Sequence, residues 1–205
     1  MTIIVGLSGK KRAGKNSVVH LSRIVLDDYH DPSVLVRSVS FADPLKEMAK
    51  EVIAGVSDRL GVLPITVIEI LLSDAGRLTE RDIDDKTTLG RKFLQDLGMA
   101  FRIHVDQLYW VKLAAKRVYE LERDVHVKLI YIPDVRFKNE ADFVKMSGWK
   151  LFRVRRPVIE YTQTDQHQSE IGLDNYKDWD AMVVANNMDE LFEAVKRELN
   201  RLGLL

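Results

Sequence analysis

Apolar positions along the chain fall into two regimes, short unbroken runs and stripes at helical spacing. Residues 2–7 form an apolar run rich in β-branched side chains, the pattern of a strand buried on both faces. Val18, Leu21, Ile24 and Val25 then recur with helical periodicity. Residues 34–41 predict a second strand, and Asp43-Pro44 reads as a helix start with Asp43 at the N-cap and Pro44 at N1. From there to Arg123 the pattern is mostly helical. It comprises an apolar helical stretch at 65–72, an acidic loop marked by Asp82, Asp84 and Asp85, and amphipathic helices at 88–103 and 107–123, the second capped by Asp106.

Strand patterns return at 127–133, 149–155 and 180–185, with a helix at 139–146 and a last amphipathic helix carrying Leu191, Phe192, Val195, Leu199 and Leu202 on one face. Asn187 and Glu190 have the spacing of a capping box. Between 157 and 177 the composition turns polar, with few apolar anchors, which predicts a loop or lid insertion of about 157–178. Five apolar strands separated by helices imply an α/β fold of three layers with a mainly parallel five-stranded sheet. The expected organisation is a single domain over 1–205, with a helical region at about 43–125. In such sheets ligands sit at the carboxyl ends of the strands, so the residues just past each strand are the candidates for chemistry.

Composition narrows the choice. Lysine plus arginine (31) equals aspartate plus glutamate (31), so no broad positive field favours nucleic acid or an anionic membrane. The absence of cysteine excludes a disulfide scaffold or thiolate metal site. No signal-peptide pattern and no membrane-length apolar run occurs, which predicts a soluble cytoplasmic protein.

Positive charge is local. Gly9-Lys10-Lys11-Arg12-Ala13-Gly14-Lys15-Asn16-Ser17 follows the first strand and opens the first helix. Two glycines let backbone N–H groups turn inward, the helix offers its positive end, and Lys15 reaches toward β and γ phosphates, as in a P-loop. Where that signature carries the Mg²⁺-binding hydroxyl the chain has Asn16, and the hydroxyl follows at Ser17. Past the other strands stand Asp43, then Asp134 and Arg136, then Arg155 and Arg156. Arginines and carboxylates without a candidate nucleophile suit phosphoryl transfer to an acceptor that is already a phosphate, and not acyl transfer. Asp134 and Arg136 point to one side if the chain stays extended past Pro133. An ordinary surface ion pair is the alternative. Arg91 and Gln95, four apart, share a helix face. Trp110 reads as core and Lys112 as an exposed helical lysine. Asn186 and Asn187 follow the last strand, where a nucleotide base often lies in P-loop kinases.

Loop 9–17, together with Arg91-Lys92-Phe93-Leu94-Gln95-Asp96-Leu97-Gly98, Tyr109-Trp110-Val111-Lys112-Leu113, Pro133-Asp134-Val135-Arg136, Arg155-Arg156-Pro157, His167-Gln168-Ser169-Glu170-Ile171-Gly172-Leu173 and Val183-Val184-Ala185-Asn186-Asn187, resembles the bacteriophage deoxynucleoside monophosphate kinases in order and approximate spacing. The resemblance covers most of the chain and thins between about 53 and 86. It implies a P-loop nucleoside monophosphate kinase fold, ATP as donor, Mg²⁺, a deoxynucleoside 5′-monophosphate as acceptor, and a P-loop whose hydroxyl follows an Asp or Asn. The expected ATP contacts are Gly9, Lys11, Arg12, Ala13, Gly14, Lys15, Asn16, Ser17 and Asn187, with the magnesium shell completed either by Ser17 or by a water held by Asp43 or Asp134. Lys15, Asp134, Arg136, Arg155 and Arg156 are the expected catalytic groups, and Asp43, Lys46, Arg91, Gln95, Arg136, Glu140 and Glu170 the expected acceptor side. A P-loop kinase for another small acceptor, such as dephospho-coenzyme A or phosphomevalonate, is the nearest alternative. A non-kinase ATPase is disfavoured by the lack of a strand ending in Asp-Glu. Apolar stripes near Ile65 and Leu108 could supply a homodimer face, although such a stripe is more often core.

Overall fold

The computed structural model describes residues 2–29, 34–158 and 172–205. The chain divides into two compact units, one of Met1–Ser40 with Lys116–Leu205 and one of Phe41–Ala115.

The first unit is built on a five-stranded sheet of order β2-β3-β1-β4-β5, parallel at every pairing. Its strands are β1 (Ile3–Ser8), β2 (Leu35–Ser38), β3 (Val127–Ile132), β4 (Lys150–Arg155) and β5 (Ala181–Val184). β1 lies at the centre and is buried from Ile4 to Ser8, which is why its sequence shows no polar alternation. Helices α1 (Lys15–Tyr29) and α8 (Met188–Arg201) cover one face. Val18, Leu21, Val25 and Leu26 of α1 pack there with Leu191, Val195 and Leu199 of α8 around Leu7, Leu129 and Val154. Helix α7 (Lys138–Met146) covers the other face. A Cβ on Gly6 would meet Val144 of α7 at 3.2 Å and Val135 at 3.1 Å, so glycine there lets the helix pack closely without these side chains having to shift.

Side chains fasten this unit where apolar contact alone would not fix geometry. The Tyr131 hydroxyl lies 2.9 Å from that of Ser22, which itself donates to the Val18 carbonyl. Burial pushes the Tyr131 phenol up to about 12. Asn187 caps α8, its Oδ1 accepting the Glu190 amide at 2.9 Å, while Glu190 returns to the Asn186 amide.

The second unit is helical: α2 (Asp43–Ile53), a 3₁₀ turn (Asp58–Val62), α3 (Ile65–Ala75), α4 (Glu80–Asp84), α5 (Thr88–His104) and the start of α6 (Tyr109–Glu122). Met48, Leu71, Ile83, Phe93, Leu97, Phe101 and Trp110 form its core. Trp110 is 2% exposed and donates its indole N–H to the Gly98 carbonyl at 3.0 Å. Ile65, Ile70 and Leu72 of α3 are exposed, whereas Leu71 and Ala75 are buried. No helix among the described residues is long and apolar enough to cross a membrane.

Three local expectations are corrected. The stretch containing Asp82 and Asp84 is a short helix, not a loop. Asp82 takes the Thr79 amide at 2.9 Å and the Thr79 and Thr87 hydroxyls, so its charge serves the helix start instead of solvent. The N-cap of α2 is Ala42, with Asp43 in the first turn, where a carboxylate still faces the positive end of the helix. β2 stops at Ser38, shorter than the 34–41 run, because Val39 leaves the ladder with a single bond to the Tyr131 carbonyl.

Asp82 also gives the fold an acid-sensitive point. The Thr79 amide first, then the two hydroxyls, holds its carboxyl below the ordinary 3.8. A depressed folded-state value contributes stability that is present above the unfolded pKa and lost as pH falls through the folded one. Asp82→Asn is therefore expected to flatten the acid limb of a stability–pH curve below pH about 4, as read by urea midpoints. An acid limb identical to wild type would remove Asp82 from the account.

Candidate active site

The strand order places a crevice by topology. β1 leads to α1 on one face and β3 leads to α7 on the other, so the chain diverges above the adjacent carboxyl ends of β1 and β3. Loop 9–17 leaves β1 there, Asp134 and Arg136 leave β3, and Ser40 follows β2.

Loop 9–17 takes its shape from three residues. A Cβ on Gly9 would stand 2.5 Å from the Val154 carbonyl oxygen, so only glycine lets the loop pass the end of β4. Arg12 and Gly14 have left-handed φ values of 64° and 101°, which curl the loop before Lys15 enters α1. Lys15 folds back inside that curl, its Nζ donating to the carbonyls of Gly9 at 2.5 Å and Lys10 at 3.0 Å. Ala13 is buried beneath the loop, Lys11, Arg12 and Asn16 are exposed, and Ser17 is half-buried in the first turn of α1.

Beyond β3 the chain does not stay extended. It turns at Pro133 and Asp134, so strand alternation does not place Asp134 and Arg136 on one side. The Val135 amide instead donates to the Leu7 carbonyl at 3.2 Å, tying this turn to the root of loop 9–17. Asp134 accepts a short hydrogen bond from the Ser40 hydroxyl, which joins the ends of β2 and β3. Arg136 is half-buried, and Glu140 is 2% exposed. Glu140 Oε2 takes the backbone amides of Arg136 at 2.8 Å and Phe137 at 3.1 Å, which fixes the start of α7 and the backbone carrying the Arg136 side chain.

At the far side, Arg155 ends β4 and is exposed; Arg156 donates Nε to the Asn186 carbonyl at 3.1 Å. Asn187 is engaged in capping α8. Asp43, Lys46, Arg91 and Gln95 belong to the second unit. There Lys46 pairs with Asp43 at 3.8 Å, and Arg91 Nε donates to the carbonyl of Lys86, a residue with φ of 51°. Arg91 and Gln95 are both exposed on α5. Glu170 lies outside the described residues, as do His167 and Ser169 and most of the 157–178 insertion.

Ser8, Ser40 and Arg153 also shape the site. Ser40 falls inside a run with the pattern of a strand, and Arg153 belongs to the local positive cluster with Arg155 and Arg156, a cluster that gives no sign of its partners. The Arg153 side chain is 11% exposed and donates to Ser8 Oγ at 3.0 Å and to Asp174 at 2.8 Å. Among the described residues no group of three or more His, Cys, Asp or Glu side chains could hold a metal ion.

Two comparisons bear on what the arrangement does. Residues 77–195 match the family model described as deoxynucleotide monophosphate kinase. The chain belongs to that family. It is 30% identical over 206 residues to a protein of Acanthamoeba polyphaga mimivirus whose name gives it, provisionally, as a deoxynucleotide monophosphate kinase, an alignment covering 93% of this chain and 92% of the relative. As a member of the family the protein is a kinase, a phosphotransferase acting in deoxynucleotide metabolism, and its parallel α/β sheet agrees with a P-loop kinase fold. The family match spans Arg91, Gln95, Asp134, Arg136, Glu140, Arg155 and Arg156; loop 9–17 precedes it.

Proposed function

We propose that this kinase transfers the γ-phosphoryl group of ATP to a deoxynucleoside 5′-monophosphate, giving the diphosphate and ADP. The observation that carries the reading is the curled loop 9–17 at the end of the central strand, with Lys15 held inside it, in a chain of this family. An acceptor phosphate oxygen forms the new bond to the γ phosphorus while the bridging oxygen leaves with ADP. Its low basicity removes the need for a strong protein base. The amides of loop 9–17 and the Lys15 ammonium hold the donor phosphates, and Lys11, Arg12 and Asn16 frame their approach. Arg136, with Arg155 and Arg156, neutralises charge spreading over the migrating group. Asn187, at the start of α8, lies on the donor side. In the second unit Arg91 and Gln95, with Asp43 and Lys46, serve acceptor recognition; Glu170 is proposed for the same role.

The residues fit Mg²⁺ of the kind that keeps most of its shell as water and phosphate and takes one or two protein oxygens. The Ser17 hydroxyl in the first turn of α1 is the proposed ligand, and Asp134, oriented by Ser40, would hold a metal-bound water. When bound, the ion neutralises the donor phosphates.

An ADP-release assay with ATP, Mg²⁺ and a panel of deoxynucleoside monophosphates, dephospho-coenzyme A and phosphomevalonate tests reaction and acceptor together. Turnover with at least one deoxynucleoside monophosphate and none with the other two is expected. Response only to the non-nucleotide acceptors would overturn the proposal.

A further inference from the structure

The root of loop 9–17 is held by a charged cluster that the proposed chemistry does not use. In the parallel register of β1 and β4, Ser8 stands beside Arg153. Ser8 is 2% exposed, and Arg153 reaches across to its hydroxyl at 3.0 Å while its guanidinium carbon lies 5.4 Å from the centre of the Trp179 ring. Asp174 completes the arrangement. Its Oδ1 accepts from Arg153 Nη2 at 2.8 Å and its Oδ2 lies 3.3 Å from Lys10 Nζ.

Lys10 links this cluster to the loop's interior. Its carbonyl accepts both the Ala13 amide at 3.1 Å and Lys15 Nζ at 3.0 Å. The residue whose side chain meets Asp174 thus has the main-chain oxygen that helps aim Lys15. A carboxylate this close to a phosphate site would by itself repel ATP. Here one cation sits on each of its oxygens, so its net effect is to fix position rather than to add negative charge.

We propose that Asp174 is a positioning residue for the donor nucleotide: through Lys10 and Arg153 it holds loop 9–17 in the curl that presents Lys15 to the phosphates of ATP. This rests on the reading of the loop as the ATP site. Asp174→Asn retains an oxygen that can accept from Arg153 but removes the ion pair with Lys10, and is therefore the variant of choice. Asp174→Ala would leave a nearly buried guanidinium short of its anion.

Asp174→Asn is expected to raise KM for ATP about 5–10-fold, to leave kcat within about twofold, and to leave KM for the deoxynucleoside monophosphate unchanged. Asp174→Glu should recover part of the loss. Lys10→Met should give a similar rise, and the double variant no more than the larger single effect, because the two side chains act as one unit. A general loss of stability would lower the active fraction, and so kcat, without this split. Unchanged or lower KM for ATP in Asp174→Asn, or effects of the two substitutions that multiply, would overturn the proposal. If Asp174→Asn does not fold, folded Lys10→Met with wild-type KM for ATP does the same. Direct titration of the wild type with ATP and Mg²⁺ separates the two readings. Failure of wild type to bind ATP removes the ATP site itself, whereas wild-type binding with indifferent variants removes only the role of Asp174.

Discussion

Lys15→Ala is expected to lower kcat/KM for phosphoryl transfer by on the order of 10³-fold or more while the protein stays folded. The Lys15 ammonium is held by two main-chain carbonyls, Gly9 at 2.5 Å and Lys10 at 3.0 Å, at a half-buried position on the loop. Truncation leaves those oxygens to water, a small local cost at a half-buried position. The functional cost is larger. As a triphosphate transfers its terminal group, charge shifts toward the oxygen leaving with ADP, and a fixed ammonium in a partly dry loop stabilises that redistribution far more than free solvent does. Removal of one neutral donor from an oxyanion-binding site costs about 10²–10³-fold, and here the donor carries a full charge. The measurement is ADP release in the presence of deoxynucleoside monophosphate, with thermal unfolding as the control for folding. Near-normal turnover in a folded Lys15→Ala protein would sink both the ATP assignment and the role given to loop 9–17.

What the sequence made legible follows from where each signal is local. β1 and β3 show as apolar runs because strands inside a parallel sheet are covered on both faces, whereas β2, β4 and β5 set exposed positions beside buried ones and show by their β-branched and aromatic residues. Loop 9–17 shows because its glycines answer backbone demands, and those demands hold in the structure: Gly9 by its approach to Val154, Gly14 by its φ. The order of motifs along the chain pointed to the kinase family that the comparisons support.

Signals that depend on partners distant in sequence were hidden. Ser40 meets Asp134 across 94 residues, and Arg153 meets Ser8 across 145. Neither pairing leaves a trace in periodicity. The turn at Pro133 is invisible in the sequence for a related reason: the Val135 amide turns to the Leu7 carbonyl, a bond made only once β1 and β3 lie side by side. The acidic stretch at 80–84 failed differently. Its helix is too short for a periodic stripe and stands on one buried residue, Ile83, with the hydrogen bonds collected by Asp82.

That same short helix sets the largest stability effect expected of a single methyl group. Gly90→Ala in the first turn of α5 should destabilise the second unit by roughly 3 kcal/mol, at the upper end of the usual cost of overpacking. A Cβ there would lie 2.1 Å from the Asp82 carbonyl oxygen and 2.6 Å from its carbon, and both are backbone atoms that no rotamer change can move. Relief requires α4 to move away from α5, which also strains the Gly90 amide bond to Thr87 Oγ1 at 3.2 Å and the Thr87 amide bond to the Asp82 carbonyl at 3.2 Å. Gly76→Ala supplies the contrast. Its φ is −61° and an added Cβ meets nothing closer than 3.6 Å, so reduced freedom of the unfolded chain should leave it neutral or stabilising by up to about 1 kcal/mol. Urea midpoints of the two variants, with hydrogen exchange at the α4 and α5 amides, give the comparison. Equal midpoints for Gly90→Ala and Gly76→Ala would mean that α4 does not press on α5 as described. Faster exchange confined to residues around Asp82 and Gly90 would locate the strain where the geometry puts it. Arg91 is the next residue along α5 and its Nε rests on the Lys86 carbonyl between the two helices, so Gly90→Ala should also raise KM for the deoxynucleoside monophosphate more than KM for ATP.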